Sequence, residues 1–110
     1  MCETLIGKLE ESLKCNPPLN AIIKYEREDI IKQATASTTR YANNRPLGPL
    51  DGVPVTVKDE MDIEGYETNA GTSFINRGVI ANMDATIIRK LKEEGAIIIG
   101  KTVMQEIGLG

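Results

Sequence analysis

The chain contains no histidine. That absence removes every Ser–His and Cys–His catalytic pairing and the commonest zinc ligand. Any base must then be a carboxylate, a lysine, a tyrosine or a thiolate. Cysteine is scarce: Cys2 and Cys15 lie far apart and form no CxxC pattern. They read as two reduced thiols of a cytoplasmic protein rather than as a disulfide or a metal site. No apolar run approaches the roughly 20 residues of a membrane-spanning helix. Met1-Cys2-Glu3-Thr4-Leu5 has no basic region leading into an apolar core, so no secretory signal is read there. The 13 basic and 16 acidic residues are spread along the chain with a net charge of -3. No basic stripe is available for a nucleic-acid backbone, which sets that partner class aside.

What is present fits one small globular domain: 110 residues, 41% hydrophobic and 26% charged. Over residues 3–14, Leu5, Ile6, Leu9 and Leu13 recur at helical spacing opposite Glu3, Lys8, Glu10 and Glu11. The acidic polar face has the wrong sign for an anionic lipid surface, so core packing is expected. Asn16-Pro17-Pro18 ends this helix, since proline cannot continue it. Residues 19–25 read as a short strand, and residues 26–41 as a helix with Ile30, Ile31, Ala34 and Ala36 apolar. Asp84 is the expected N-cap of a third helix, and Gly95 its C-terminal stop. Ala96-Ile97-Ile98-Ile99 shows no alternation, which predicts a strand covered on both faces, as in a parallel sheet. Strands alternating with helices imply an α/β architecture.

Gly95-Ala96-Ile97-Ile98-Ile99-Gly100-Lys101-Thr102 matches the phosphate-loop pattern GxxxxGK[ST]. That motif needs its variable residues in a loop that curls around phosphates, whereas three consecutive isoleucines favour a strand. The first glycine also closes a helix, where a phosphate loop follows a strand. The match is read as chance.

The stretch that organises the rest runs from Gly48 to Glu60. Gly-Pro and Asp-Gly turn signals open it, Val53, Val55, Thr56 and Val57 are strand-prone, and Lys58-Asp59-Glu60 ends it abruptly. Ligands of open α/β sheets sit beyond the carboxyl ends of strands. Two readings of Lys58 stand side by side. One is an ordinary strand-end lysine with its ammonium in water. The other is a general base, which needs a neutral amine produced by desolvation or a nearby cation. Residues 59–79 follow as a long polar segment with Gly65, Gly71 and Gly78 and no sustained period, a length that is often functional.

Gly48-Pro49-Leu50-Asp51-Gly52-Val53-Pro54-Val55-Thr56-Val57-Lys58-Asp59 resembles the GPLxGxPxxxKD segment of the amidase signature family. Thr68-Asn69-Ala70-Gly71-Thr72-Ser73 is similar to the family's loop after its lysine. Asp84-Ala85-Thr86 through Leu91, then Glu94 to Thr102, is similar to its DAxxxxxLxxxGAxxxGKT helix and strand. Met104 and Glu106 fit the next element, and Leu19-Asn20-Ala21 an early strand. The resemblance covers residues 19–110, with residues 1–18 as a leading helix and linker. It implies the N-terminal part of an amidase-signature fold, a mixed, largely parallel sheet flanked by helices, in an incomplete domain. The chain also stops soon after Ile99 without a capping element, which is the expectation for part of something larger.

The activity implied is hydrolysis of amide C–N bonds by a Ser–cis-Ser–Lys triad, without cofactor or metal, on a small-molecule amide. Lys58 occupies the family's lysine position as catalytic base. The positions of both serines and of the oxyanion loop lie beyond the equivalent of Gly110, so the chain alone is expected to be inactive. Ser12, Ser37 and Ser73 do not match those positions. Val103 stands where the family usually has asparagine. The Lys58-to-Asp62 run and Glu106-Ile107-Gly108 lean toward the branch resembling fatty-acid amide hydrolases, with Ile107 and Gly108 as candidate acyl-pocket wall. The glutamine-hydrolysing chain of the aminoacyl-tRNA amidotransferases is the next branch. The alternative class is a non-catalytic scaffold or binding partner, which would expose Ile97 to Ile99 and need an oligomer or partner to cover them. A homodimer stays open.

Overall fold

The chain alternates helices and strands, and its prolines and glycines set most of the boundaries. The computed structural model describes residues 1–109. Helix α1 (Cys2–Leu13) stops before the Pro17-Pro18 pair and is followed by strand β1 (Ile22–Lys24) and helix α2 (Arg27–Ala42). Strand β2 (Pro54–Lys58), helix α3 (Thr86–Glu93) and strand β3 (Ile97–Thr102) come next, then a 3-10 turn at Glu106–Gly108. The strand order is β1-β3-β2, with β1 antiparallel and β2 parallel to the central β3. This is a mixed α/β sheet, as the strand–helix alternation predicts. The residues of the phosphate-loop pattern form the end of α3 and the strand β3.

The isoleucine run of β3 is the middle of the molecule. On one face Ile97 and Ile99 pack with Cys2 and Ile6 of α1 and Ile30 of α2. On the other, Ile98 packs with Val57 of β2, Ile63, and Ile88 of α3. Ile97, Ile98 and Ile99 are only 3%, 2% and 1% exposed. The expectation that a free-standing chain would expose them is therefore overturned. Its own helices supply both covers, and each buried isoleucine removes roughly 1.5–3 kcal/mol of apolar surface from water.

Gly100 sits at a bulge that the approach of β1 requires, because a Cβ there would collide with the Lys24 carbonyl oxygen. The extra residue shifts the register, so that Val55 faces Ile98 but Val57 faces Lys101. Next to the bulge, β1 is too short to pair with the first half of β3. There the Gln33 side chain replaces a strand. Its Oε1 accepts from Ile98 N (2.8 Å), and its Nε2 donates to Ile98 O (3.1 Å).

Two helix details differ from the sequence expectation. Asp84 does not cap α3: the N-cap is Ala85 and has no side-chain bond. The Asp84 carboxylate instead accepts from Glu64 N (2.8 Å) and from Lys92 Nζ (2.9 and 3.0 Å), donors brought by the long connection and the helix's own last turn. In α2, Ala36 is exposed and Ser37 is buried in its place. Ser37 Oγ donates to Asp51 Oδ1 at 2.6 Å. Asp51 also accepts from Arg40 Nε and Nη2, both at 2.7 Å, and from Leu47 N at 2.8 Å. These bonds tie α2 to the loop that launches β2. The guanidinium of Arg40 holds the Asp51 carboxyl far below the usual carboxylate range, against burial, which acts the other way.

Candidate active site at the end of strand β2

Lys58 is the last residue of β2, opposite Thr102 of β3. Its Nζ stands 3.4 Å from Glu60 Oε1, and both side chains are about half exposed (49% and 48%). The chain turns tightly behind it: Glu60 N and Met61 N both donate to Lys58 O, at 2.7 and 3.3 Å. The lysine thus projects from a fixed strand end into an open crevice, where a substrate can reach it.

The Asp59–Ala85 connection folds back on this strand end. Ala70 N donates to Asp59 O (2.9 Å), and Ile107 N donates to Ala70 O (2.8 Å). This two-step relay carries the 3-10 turn with Ile107 and Gly108 against the loop beside Lys58. The contact is close enough to dictate residue type, since a Cβ on Gly71 (φ +73) would lie 2.6 Å from Met104 O and 2.8 Å from Gln105 O. Ala70 and Ile107 hold φ of 51 and 53. For a β-branched residue such as Ile107 this is a strained conformation, of order 1–3 kcal/mol. Ile107 is 54% exposed. Val103 is likewise exposed, and its backbone N donates to Ala21 O (2.9 Å). The serines have other engagements: Ser12 Oγ bonds Leu9 O, Ser37 is buried on Asp51, and Ser73 is exposed in the loop.

The structure adds a second lysine, which in the sequence is visible only as part of a motif. Lys101 is fully buried, and so is Asp59. Lys101 Nζ donates to Met61 O (2.5 Å) and Thr68 Oγ1 (3.0 Å) and lies 3.6 Å from Asp59 Oδ1. Asp59 Oδ1 also accepts from Asn69 N (3.3 Å) and lies 3.9 Å from Lys24 Nζ, which itself donates to Asn69 Oδ1. Asp59 Oδ2 is buried without a hydrogen-bond partner among the described residues. Burial pushes the Lys101 ammonium below its ordinary range, Asp59 opposes the shift, and Lys24 adds to it. Strict alternation would set Lys101 beside Ile97 and Ile99; the bulge at Gly100 moves it to the face of Ile98 and Val57. That glycine inside a strand is the only signal of it in the sequence.

Among the described residues no helix is long and apolar enough to cross a membrane. Comparison with known proteins puts this geometry in context. Over its whole length the chain is 36% identical to the fatty acid amide hydrolase of Arabidopsis thaliana, of which it covers 18%. It is 38% identical to a chain of the mitochondrial glutamyl-tRNA(Gln) amidotransferase of Xenopus laevis, of which it covers 20%. The solved structure of a peptide amidase bound to the competitive inhibitor chymostatin superposes on 96% of the chain and 21% of its own, with a TM-score of 0.84 at 27% identity. The chain therefore spans about a fifth of the length of these relatives. The model of the family described as Amidase matches residues 3–110, and with the strand end, loop and central strand already in that family's arrangement, the chain belongs to the Amidase family.

Proposed function

We propose that Lys58 is the base of a Ser–cis-Ser–Lys triad that hydrolyses carboxylic amides, with both serines supplied from outside residues 1–110. The observation that carries this reading is the placement of Lys58 at the open carboxyl end of β2, with its neighbours packed away and its Nζ reachable. In the proposed cycle the neutral amine of Lys58 takes a proton from the bridging serine, which takes one from the nucleophilic serine. The nucleophile attacks the amide carbonyl, the amine leaves with a proton returned through the same relay, and water then hydrolyses the acyl-enzyme. For Lys58 to act, Glu60 has to release it. Fatty-acyl amides are the preferred substrate class, because the apolar side chain of Ile107 stands exposed on the wall beside the strand end. The similarity to an amidotransferase chain keeps a glutamine-hydrolysing role as the second reading.

The native product, recovered with an antibody to residues 1–110, tests this. Its intact mass is expected to be several times 12.0 kDa, it should react with a serine-directed fluorophosphonate, and Lys58→Ala should lower amide hydrolysis about 10²–10⁴-fold. Hydrolysis of fatty-acyl amides in preference to glutamine supports the first reading, and the reverse supports the second. Fluorophosphonate labelling of the 110-residue chain by itself, or full activity of Lys58→Ala, would overturn the proposal.

A further inference from the structure

We propose that the buried Lys101–Asp59 pair is the positioning device of the Lys58 site, holding the turn after Lys58 and the 68–70 loop in one fixed relation. The inference rests on Lys58 being the functional amine. A buried ion pair is a poor way to fill space, since an apolar pair of similar volume is often neutral or more stabilising. Here one carboxylate oxygen, Oδ2 of Asp59, is left unpartnered as well. What the pair does achieve is visible in where its bonds end. Lys101 Nζ reaches Met61 O, inside the turn closed on Lys58 O, and Thr68 Oγ1, which donates onward to Asp62 Oδ1 at 2.7 Å. Asp59 takes Asn69 N on its side chain and Ala70 N on its carbonyl.

Every one of these bonds terminates on a segment that flanks Lys58. Through Ala70 O and Ile107 N the same clamp sets the wall on which Ile107 sits in its strained conformation. Lys101 and Asp59 touch no open surface, so neither is a catalytic residue. They act through the backbone that carries Lys58.

The test replaces the pair by an apolar one, Asp59→Leu with Lys101→Met, in the 110-residue chain. Global stability is followed by urea unfolding, amide exchange is read at Ala70, Ile107 and Ile98, and the Lys58 side-chain resonance is followed in ¹³C-lysine-labelled protein. The expected result is a folded protein with Ile98 protection near that of wild type. Ala70 and Ile107 exchange about tenfold faster or more, and the Lys58 Cε resonance is displaced. A folded variant with unchanged Ala70 and Ile107 exchange and an unchanged Lys58 resonance would overturn the proposal. If the double variant does not fold, Thr68→Val decides on the same readouts, since it removes a single acceptor from Lys101. Neither measurement depends on amide hydrolysis. Failure of the triad reading, seen as an active Lys58→Ala product, is therefore scored separately from failure of the clamp.

Discussion

Asp51 offers the most direct check on how the chain launches the strand that carries Lys58. Its side chain is fully buried, while that of Arg40 is 26% exposed. Asp51→Ala removes the acceptor for four donors: Ser37 Oγ, two guanidinium nitrogens and Leu47 N. Breaking a buried pair by deleting one partner costs about 3–5 kcal/mol. Arg40 regains water in part, which places the expected loss near the lower end, about 3 kcal/mol. Against the roughly 5–15 kcal/mol of a typical domain, that is a large fraction. Equilibrium urea unfolding should show a lower midpoint at similar slope. The pH dependence adds a sign. Because Arg40 and its fellow donors depress the Asp51 carboxyl in the folded state, the unfolded chain binds the proton more readily. The contribution is complete above the ordinary value of 3.8 and is lost as pH falls below it toward the folded value. The stability gap between wild type and Asp51→Ala should therefore narrow below about pH 4. A loss under about 1 kcal/mol, or a gap that stays constant through that window, would refute the reasoning.

Three further outcomes follow from single contacts. Gln33→Ala leaves Ile98 N and O without their amide partner and should cost about 1–3 kcal/mol in urea unfolding, with faster exchange of the Ile98 amide; unchanged exchange would contradict the role given to Gln33. Ile6→Ala should destabilise by about 2–5 kcal/mol, because Ile6 is fully buried among Ile30, Ile97 and Ile99; a neutral result would mean that α1 is not part of the core. Lys58→Ala should shift stability by no more than about 1 kcal/mol, since its ion pair with Glu60 is half exposed; a large loss in thermal unfolding would assign Lys58 a structural role instead.

Punctuation and period made the elements legible. Pro17 and Pro18, Gly95 and the β-branched runs before Lys58 and Gly100 bounded helices and strands within a few residues of where they lie. What failed were statements that depend on a partner distant in sequence. An aspartate before a helix is a cap only if no better donor competes, and Lys92 and Glu64 N outcompeted the helix for Asp84. Ser37 entered the core in place of Ala36 because Asp51, on a later loop, supplied an acceptor. The isoleucine run announced burial but not its cover, and helices before and after it in the chain provided one. The lysine site was legible as a position through its resemblance, while the clamp behind it was not, because one bulge at Gly100 reassigns the face of Lys101.

Lys58 and Lys101 lie toward the ends of adjacent strands, one pair apart, yet their environments assign them opposite work. A search for the amine most perturbed by its surroundings selects Lys101, since burial and specific charge partners mark functional groups. Geometry argues against it. Its ammonium donates to Met61 O and Thr68 Oγ1, faces Asp59, and has no exposed surface, so no substrate proton can reach it. A base must come within about 3 Å of the proton it takes. Lys58 has that access, at the end of a strand whose turn and flanking loop are held from behind. The buried lysine is therefore better understood as what makes the exposed one precise in position, and the pair of apolar substitutions at Asp59 and Lys101 separates those two roles experimentally.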